Sequence, residues 1–398
     1  MIHWQQTSQI LSKTDTFYNS QYFTTDINRQ RAWVEIDLNA LAHNVREIKS
    51  SLSPQTALMA VVKADAYGHG ANIVAQTALK HGVNWLAVAT VTEGIKLRQA
   101  GIEGQILILG AINSPAEIVE IVKWQLQPTI CNSQQALTFS NILGTMKTTL
   151  PVHLQLDTGM SRLGTDWQNA LEFVELVNKL PYLKIASVFS HLATADDRDP
   201  TTMRLQQTRF NEAVARLKDR GIEPPCLHLA NSAATLSDRS LHYDLVRVGL
   251  ALYGLYPAPH LREKVALKPV LQVKARITQI KTIPPGTGVS YSHKYISERE
   301  TTIAVVSIGY ADGVVRGLSN NLQAIVRGKL VSQIGAITMD QLMLDVSNVP
   351  NLQPGEIVTL LGRDGAHAIG ADDWAAKLNT ISWEILCGFK HRLPRVVK

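Results

Sequence analysis

The amino-acid sequence predicts an α/β fold in which an eight-stranded (β/α)8 barrel of the TIM type precedes a mostly-β C-terminal domain. Between residues 57 and 250, short apolar or β-branched runs alternate with longer segments of helical periodicity, which is the pattern of repeated βα units. There are eight such runs, and eight parallel strands favour a closed barrel. Beyond Pro257 the pattern changes to alternating apolar and polar residues interrupted by Gly and Pro, which favours a separate β-rich domain.

Each predicted element follows from local periodicity. The barrel strands are predicted at residues 57–63, 85–90, 106–109, 127–131, 152–156, 185–191, 227–230 and 245–248. Helices are predicted at 117–124 and 167–180, whereas no helix is evident after the eighth strand. A further helix precedes the barrel, because Leu38, Leu41, Val45 and Ile48 share one face and Asp37 can cap its first turn. Strands of the β-rich domain are predicted at 271–277, 302–308, 322–326 and 356–361.

These elements divide the chain of 398 residues into three parts. We expect residues 1–30 to form a flexible N-terminal extension, residues 31–257 the barrel, and residues 258–398 the β-rich domain. The strand at 32–38 could belong to the barrel or to the β-rich domain, and the pattern leaves this open.

Composition excludes several classes of protein. The formal charge of +6 is spread thinly, which argues against a dedicated nucleic-acid-binding protein. The sequence contains no run of about 18 apolar residues, the length needed to span a bilayer, and its N-terminus lacks the pattern of a secretion signal. We therefore expect a cytoplasmic protein. The three cysteines, Cys131, Cys226 and Cys387, have none of the paired spacings of a zinc site, and no metal is predicted.

Polar residues follow the predicted barrel strands at their carboxyl ends, where barrel enzymes carry their active sites. They are Lys63, the stretch 157–162, His191, Asn231, Ser232, Arg247 and Gly249. Lys63 follows an apolar strand, so burial should lower its pKa, and a neutral amine can form a Schiff base with an aldehyde. The alternative for Lys63 is a lysine that extends to solvent at the barrel rim.

Eight motifs extend this picture. They are VVKADAYGHG (61–70), DTGMSRLG (157–164), SHLATAD (190–196), ANSAAT (230–235), VRVG (246–249), VSY (289–291), IGYADG (308–313) and TMD (338–340). In this order, from about residue 31 to the carboxyl terminus, the chain resembles the alanine racemases. The resemblance implies an α/β barrel followed by a β domain, in agreement with the periodicity.

The resemblance also implies a cofactor, pyridoxal 5'-phosphate, held as a Schiff base by Lys63. The residues implied to bind it are Lys63, Tyr67, His191, Asn231, Ser232, Arg247, Gly249, Leu250 and His391. The phosphate would contact the Ser232 hydroxyl, the Gly249 and Leu250 amides and Tyr67, at the usual phosphate position of such barrels. His191 would pack against the cofactor ring.

The implied reaction interconverts L-alanine and D-alanine through an external aldimine, with D-alanine supplied for peptidoglycan. Two bases are implied, Lys63 on the D face and Tyr291 on the L face of the substrate Cα. Positive charge from His191 and Arg162 is expected to lower the pKa of Tyr291. Arg247 would face the pyridine nitrogen and, because arginine retains its proton, would leave that nitrogen unprotonated.

The resemblance further implies how the amino-acid substrate is held. Arg162 and the Met339 amide would contact its carboxylate, and Tyr310 would narrow the entrance. Tyr291 and Met339 would come from the partner subunit, which implies a homodimer with shared active sites.

Two positions depart from the family pattern. Gln155 stands where many relatives have a carbamylated lysine beside the arginine that corresponds to Arg162. A neutral amide could still accept a hydrogen bond from Arg162, so we expect no carbamate and a different charge environment around Arg162 and Tyr291. His391 stands where many relatives have a tyrosine at the inner gate. A racemase of broader or serine-directed specificity therefore stays open.

Three other functions are alternatives for a barrel with a reactive lysine. A non-catalytic pyridoxal-phosphate carrier would lack the second domain, which here contains Tyr291 and Met339. A barrel decarboxylase should have an acid in place of Arg247 and a cysteine in place of Thr338. A cofactor-free aldolase could also use a barrel lysine.

Overall fold

The computed structural model describes residues 26–398, so most of the predicted N-terminal extension lies outside the described residues. The chain divides into two compact units, which are described separately. One comprises Asp37–Val270, and the other comprises Leu271–Lys398 with the described residues up to Ile36. The first strand, β1 (Ala32–Ile36), belongs to the second of these units.

The first unit is a near-closed barrel of eight parallel strands, which confirms the predicted fold class. The strands, in their order around the barrel, are β2 (Ala57–Val61), β3 (Trp85–Val88), β4 (Gln105–Ala111), β5 (Gln127–Ile130), β6 (Leu150–Asp157), β8 (Leu183–Phe189), β9 (Leu227–His228) and β10 (Leu245–Val248). The two-residue strand β7 (Thr165–Asp166) pairs with β6. Between β9 and β10 the barrel is completed by hydrogen bonds from the Asp244 amide to the Leu227 carbonyl (3.0 Å) and from the Arg247 amide to the Ala230 carbonyl (3.0 Å).

Helices connect these strands. They are α1 (Leu38–Ser51), α2 (Lys63–Tyr67), α3 (Ala71–Lys80), α4 (Val91–Gln99), α5 (Pro115–Lys123), α6 (Ser133–Met146), α7 (Ala170–Lys179), α8 (Thr201–Asp219) and α9 (Ser232–Ser237). Asp37 caps α1 as predicted, since its Oδ1 accepts from the Ala40 amide at 2.8 Å. After β10 there are only two short 3₁₀ helices in this unit, Leu250–Tyr253 and Pro259–Leu261, and α1 packs against the first of them and against α3. The helix missing after the eighth strand is thus replaced by one from before the barrel.

Apolar residues on both faces explain why these strands are interior. In β4, Ile106, Leu107 and Ile108 are all fully buried, one face against the barrel interior and the other against the helices. Such continuous apolar runs are typical of parallel strands covered on both sides.

The second unit is built on a nine-stranded sheet with the order β19-β18-β15-β16-β17-β14-β11-β1-β20. Its strands after β1 are β11 (Leu271–Ile283), β14 (Thr301–Val306), β15 (Gln323–Val326), β16 (Lys329–Ile334), β17 (Leu342–Asp345), β18 (Ile357–Asp364), β19 (His367–Ile369) and β20 (Arg395–Val397). β1 pairs antiparallel with β11 and parallel with β20, which places it in this sheet and not in the barrel. A separate hairpin joins β12 (Gly288–Val289) to β13 (Tyr295–Ile296).

Two helices, α10 (Ala371–Leu378) and α11 (Ser382–Gly388), follow β19. Short 3₁₀ helices occur at Ile27–Arg29, Trp167–Asn169, Arg239–Leu241, Pro259–Leu261, Tyr291–His293, Tyr310–Asp312 and Arg316–Leu318. Within residues 26–398 no helix has the length and apolar character needed to cross a membrane.

Candidate active site

Lys63 begins a left-handed turn at the carboxyl end of β2. The four residues that follow it, 64–67, all have φ angles between 51° and 54°. Non-glycine residues in this region cost roughly 1–2 kcal/mol each, so the surrounding structure must hold the turn in place. One restraint is the Glu93 carboxylate, which accepts from the Ala64 amide at 2.7 Å. Strain of this kind concentrates at functional sites, and here it lies directly after Lys63.

The loops after β9 and β10 meet Tyr67. The Ser232 hydroxyl accepts from the Gly249 amide at 3.0 Å. A Cβ atom on Gly249 would meet the Tyr67 hydroxyl at 2.6 Å, so only glycine permits this approach. Leu250, next along the chain, is buried. Two hydroxyls and the backbone amide of a glycine thus converge at the barrel end, which suits a small anion such as a phosphate.

Aromatic packing holds Tyr67 in this position. Its ring lies 5.0 Å from that of Tyr253, and the Tyr253 hydroxyl donates to the Val61 carbonyl at 2.8 Å. The His69 ring stacks on the other side of Tyr253 at 4.3 Å. The strand that leads to Lys63 and the hydroxyl of Tyr67 are therefore parts of one rigid cluster.

Asn231 is the N-cap residue of α9. Its side-chain oxygen accepts from the Ala234 amide at 3.1 Å, which caps the helix and fixes Ser232 directly after it.

Arg247, on β10, is buried inside the barrel with 3% of its surface exposed. Its guanidinium donates to Nδ1 of His228 (2.9 Å), the Ser190 carbonyl (2.8 Å), Nδ1 of His191 (3.1 Å) and the Leu229 carbonyl (3.1 Å). Burial lowers the pKa of Arg247 to about 9, which still leaves the side chain protonated at pH 7. The site therefore contains a fixed, charged hydrogen-bond donor.

His191 lies among cations at the same end of the barrel. Burial lowers the pKa of His191 to about 3, and the charges of Arg247, Arg162 and Lys63 act in the same direction. The ring is thus neutral at pH 7. The expectation that His191 supplies positive charge to lower the pKa of Tyr291 is wrong, because desolvation and three neighbouring cations exclude the second proton.

Arg162 projects from the loop after β6. The Asp157 carboxylate accepts from the amides of Gly159 (2.9 Å), Met160 (3.0 Å) and Ser161 (3.1 Å), so the side chain at the start of this loop holds the loop backbone in place. Arg162 itself is exposed and lines a cavity of about 910 Å³ together with Cys131 and Phe173.

Gln155 is buried below this loop, with 5% of its surface exposed. Its side-chain oxygen faces the Cys131 thiol at 3.9 Å. Among the described residues no hydrogen bond joins Gln155 to Arg162, so the amide does not accept the bond that it could have accepted from Arg162. Burial raises the pKa of Cys131 to about 11, which keeps this thiol neutral.

In the second unit, Tyr291 lies on a tight loop and is 70% exposed. The residues on either side of it, Ser290 and Ser292, have φ angles of 63° and 60°. The Ser290 hydroxyl donates to the Ala336 carbonyl at 2.8 Å, which anchors the loop to the connection between β16 and β17. The tyrosine side chain is therefore presented to the outside of this unit on a restrained backbone.

Tyr310 and Met339 lie on two loops that are hydrogen-bonded to each other. The Tyr310 amide donates to the Thr338 carbonyl at 3.0 Å, and a Cβ on Gly309 would stand 2.3 Å from that same oxygen. Both side chains are exposed. Ser290 of the Tyr291 loop and Thr338 of the Met339 loop line the same cavity of about 680 Å³. His391 is exposed in the turn after α11.

The predicted site residues thus form two groups. The barrel unit contains Lys63, Tyr67, Arg162, His191, Asn231, Ser232, Arg247, Gly249 and Leu250, and the second unit contains Tyr291, Tyr310, Met339 and His391. The described residues contain no group of three His, Cys, Asp or Glu side chains placed to bind a metal ion.

Sequence reasoning missed the polar residues of the barrel interior. His153, Ser187 and His228 are fully or almost fully buried, and they connect to Arg247 through hydrogen bonds. A signal was present in β6, where His153 and Gln155 are two residues apart and so point to the same face of an otherwise apolar strand.

Comparison with protein-family models gives two matches. The alanine racemase N-terminal domain matches residues 36–257, and the alanine racemase C-terminal domain matches residues 270–397. Together the two matches cover both units.

Individual proteins and structures agree with these matches. An alanine racemase from Nostoc sp. is 66% identical over 92% of this chain and 96% of its own length. An alanine racemase structure from Clostridium difficile has a TM-score of 0.88 and 35% identity, covering 92% of this chain and 96% of that chain. An alanine racemase structure from Bartonella henselae, with covalently bound pyridoxal phosphate, has a TM-score of 0.83 and 29% identity, covering 92% of this chain and 99% of that chain.

Proposed function

The chain belongs to the alanine racemase family, and from this premise we propose that it interconverts L-alanine and D-alanine with pyridoxal 5'-phosphate bound at Lys63. One observation carries the assignment to these residues. A lysine on a strained turn, an anion-sized group of hydroxyls around Gly249, and a buried charged arginine all lie at the carboxyl ends of strands in one barrel.

The residues fit this cofactor. Ser232, Tyr67 and the amides of Gly249 and Leu250 would hold its phosphate, and the close approach at Gly249 leaves no room for a side chain there. The Lys63 amine would hold its aldehyde carbon covalently. When bound, the cofactor supplies an electron sink for the substrate Cα.

Arg247 would donate a hydrogen bond to the ring nitrogen of the cofactor. Because Arg247 is charged at pH 7 and has no acceptor atom, it leaves that nitrogen without a proton of its own. A ring that withdraws fewer electrons favours return of the proton to Cα and disfavours transamination.

Racemisation needs proton transfer on both faces of Cα, and Lys63 and Tyr291 are the two groups that we assign. Lys63 would serve the D face and Tyr291 the L face. Tyr291 is exposed on its own unit, and so are Tyr310 and Met339. This exposure supports a homodimer in which these residues complete the barrel site of the partner subunit.

Substrate binding would use charge and a narrow entrance. Arg162, exposed at the barrel mouth, and the Met339 amide would hold the carboxylate of the amino acid. Tyr310 would limit side-chain size, and His391 would lie toward the inner gate. The proposed substrate is alanine, which the enzyme would convert in the cytoplasm from the L to the D enantiomer for peptidoglycan. Serine is the second candidate substrate because of His391.

The test is a chiral assay of the purified holoenzyme in deuterated water, with alanine, serine and lysine as substrates. Tyr291→Phe should abolish racemisation and Cα–H exchange from L-alanine while exchange from D-alanine continues, because Lys63 still serves that face. Tyr182→Phe, a tyrosine of the barrel unit packed beside Gly144, is the matched control. Exchange of both enantiomers at the original rate in Tyr291→Phe would contradict the assignment, and a chain that binds the cofactor without racemising any amino acid would contradict the function.

A further inference from the structure

A continuous line of hydrogen-bonded side chains crosses the barrel interior from Arg247 to the opposite end. Its links join Arg247 Nη1 to His228 Nδ1 (2.9 Å), His228 Nε2 to Ser187 Oγ (2.8 Å), Ser187 Oγ to His153 Nδ1 (2.6 Å) and His153 Nε2 to Gln127 Oε1 (2.8 Å). Gln127 is the first residue of β5, so the line ends at the amino end of a barrel strand. Arg247, His228, Ser187 and His153 are each 3% exposed or less.

The direction of this line follows from Arg247. A guanidinium has only donors, so His228 Nδ1 must be without a proton and must accept. A neutral imidazole has one N–H, which places the His228 proton on Nε2, where it donates to the Ser187 hydroxyl. Among the described residues that hydroxyl contacts only the rings of His228 and His153.

A buried hydroxyl hydrogen needs an acceptor, and the protonated Nε2 of His228 cannot serve. Ser187 therefore donates to Nδ1 of His153. His153 in turn carries its proton on Nε2 and donates to Gln127. Every link from Arg247 to Gln127 thus points the same way, and both histidines adopt the Nε2–H tautomer.

Burial and neighbouring charge keep both rings neutral, as this arrangement requires. Burial lowers the pKa of His153 to about 3. Burial and the charge of Arg247 hold the pKa of His228 well below its usual range. The rings are also confined by packing, since His228 stacks on Phe189 at 4.6 Å and His153 meets the edge of Trp85 at 5.4 Å.

From this geometry we propose that Ser187 is a positioning residue that locks His228 in one tautomer and orientation, and so holds the guanidinium of Arg247 in place. His228 and Ser187 do not touch the reacting atoms in this proposal. They act through Arg247, and the effect on racemisation rests on the role proposed above for Arg247 at the ring nitrogen.

Without the Ser187 hydroxyl, the two histidines lose their connection. The buried Nε2–H of His228 is left without its acceptor, and the His153 Nδ1 is left without its donor, so either ring can turn or change tautomer. The Arg247 guanidinium then loses a fixed partner on one of its two terminal nitrogens. We expect a looser hydrogen bond to the cofactor and more frequent proton delivery away from Cα.

The first experiment measures the tautomers directly in the holoenzyme. The ¹⁵N shifts of histidine ring nitrogens distinguish a protonated from a bare nitrogen, and His153→Gln and His228→Gln variants assign the signals. We expect Nε2–H and bare Nδ1 in both rings. A proton on Nδ1 of either ring, or on both nitrogens, would overturn the proposal. This outcome does not depend on activity, so it is distinguishable from failure of the proposed racemase function.

The second experiment compares Ser187→Ala with Ser140→Ala, which removes a hydroxyl of similar burial from α6, away from this line. Loss of the hydrogen bond predicts a fall in kcat of about three- to tenfold for Ser187→Ala, with KM within about twofold. The number of transamination events per racemisation should rise, and the His153 ring signal should move. If kcat, this ratio and the His153 signal in Ser187→Ala all match those in Ser140→Ala, the serine is only a packing residue and the proposal is wrong.

Discussion

Gly249 approaches Tyr67 so closely that a Cβ atom on the glycine would stand 2.6 Å from the Tyr67 hydroxyl oxygen and 3.1 Å from the ring carbon that bears it. Tyr67 cannot retreat easily, because its ring packs against Tyr253, whose own hydroxyl is bonded to the backbone of β2. The φ of Gly249 is −114°, which any residue can adopt. Space, and not backbone conformation, therefore requires glycine at this position.

Gly249→Ala should consequently weaken cofactor binding while the protein still folds. Displacement of Tyr67 and of the Gly249 amide removes one or two phosphate contacts, and we expect the Kd of pyridoxal phosphate to rise about 10- to 100-fold. Absorbance titration of the apoenzyme measures this. Gly370→Ala is the control, because its Cβ would have no neighbour closer than 3.6 Å and its φ is −97°. An unchanged Kd in Gly249→Ala would show that the phosphate binds elsewhere.

Asp312 should stabilise the loop that contains Tyr310. Its carboxylate, 1% exposed, receives two hydrogen bonds from Arg31, at 2.7 and 2.8 Å, and one from the Gly309 amide at 3.0 Å. Asp312→Asn removes the charge from a mostly buried pair and should lower the free energy of unfolding by about 2 kcal/mol. Because the loop also positions Tyr310 beside Met339, KM for alanine should rise.

Urea titration and steady-state kinetics check this prediction. Asp345→Asn is the matched control, since Asp345 is paired with Arg299, whose side chain is 66% exposed. A surface pair of this kind contributes about 0–1 kcal/mol. Equal losses of stability in the two variants would show that the pair of Asp312 and Arg31 contributes no more to the free energy of unfolding than a surface pair does.

The proposed sharing of active sites between subunits makes a quantitative prediction. Lys63→Ala and Tyr291→Phe should each be inactive as homodimers. If each site takes Lys63 from one subunit and Tyr291 from the other, a heterodimer of the two variants has one intact site and one site that lacks both groups. Random reassociation of equal amounts should therefore restore about a quarter of the wild-type activity. Absence of recovery, with subunit exchange verified by two affinity tags, would place both groups in the same subunit.

Two of the cysteines should be almost inert. Burial raises the pKa of Cys131 to about 11 and that of Cys226 to about 12, so at pH 8 no more than roughly one thousandth of either thiol is ionised. We expect iodoacetamide to label both at least about 100-fold more slowly in the folded protein than in urea. Mass spectrometry of timed digests measures each site. Labelling of Cys131 at the unfolded rate would mean that the cavity beside Arg162 opens in solution.

Much of the fold could be predicted because the barrel strands are apolar on both faces. The run Ile106, Leu107, Ile108 is unambiguous as an interior strand, and Asp37 before an amphipathic run predicts the start of α1. The partner of β1 could not be predicted, since its pairing with β11 joins residues more than 200 positions apart, such as Ala32 and Ala275. Local periodicity contains no information about such a contact.

The candidate site was also predictable from the sequence only in part. Lys63 and Arg247 were predictable because charged residues stand out at the ends of apolar strands. The left-handed turn at 64–67 was not, because alanine disfavours that conformation and the Glu93 contact that helps to hold it comes from a residue 29 positions away from Ala64. Ser187 and His228 were missed because each alone is an ordinary buried polar residue, and their connection is visible only when β8 and β9 lie side by side.

Two buried histidines of the barrel interior, His153 and His228, should make the protein sensitive to acid. The pKa of His153 is lowered to about 3 and that of His228 is lowered well below its usual range, mainly by burial. Between the unfolded pKa of about 6.5 and these folded values, the unfolded state binds more protons, so stability falls as pH falls.

From pH 6.5 to pH 5.5 each histidine should reduce the free energy of unfolding by about 1 kcal/mol, or about 2 kcal/mol for the pair. Above about pH 8 both rings are neutral in both states, so they should contribute almost no slope there. Urea titrations at fixed protein concentration and pH 8.0, 7.0, 6.5 and 5.5 measure the change, and His153→Gln should remove about half of these two residues' contribution. A His153→Gln variant with the same pH dependence as the wild type would mean that His153 is protonated in the folded protein, which is incompatible with a one-way line of hydrogen bonds from Arg247.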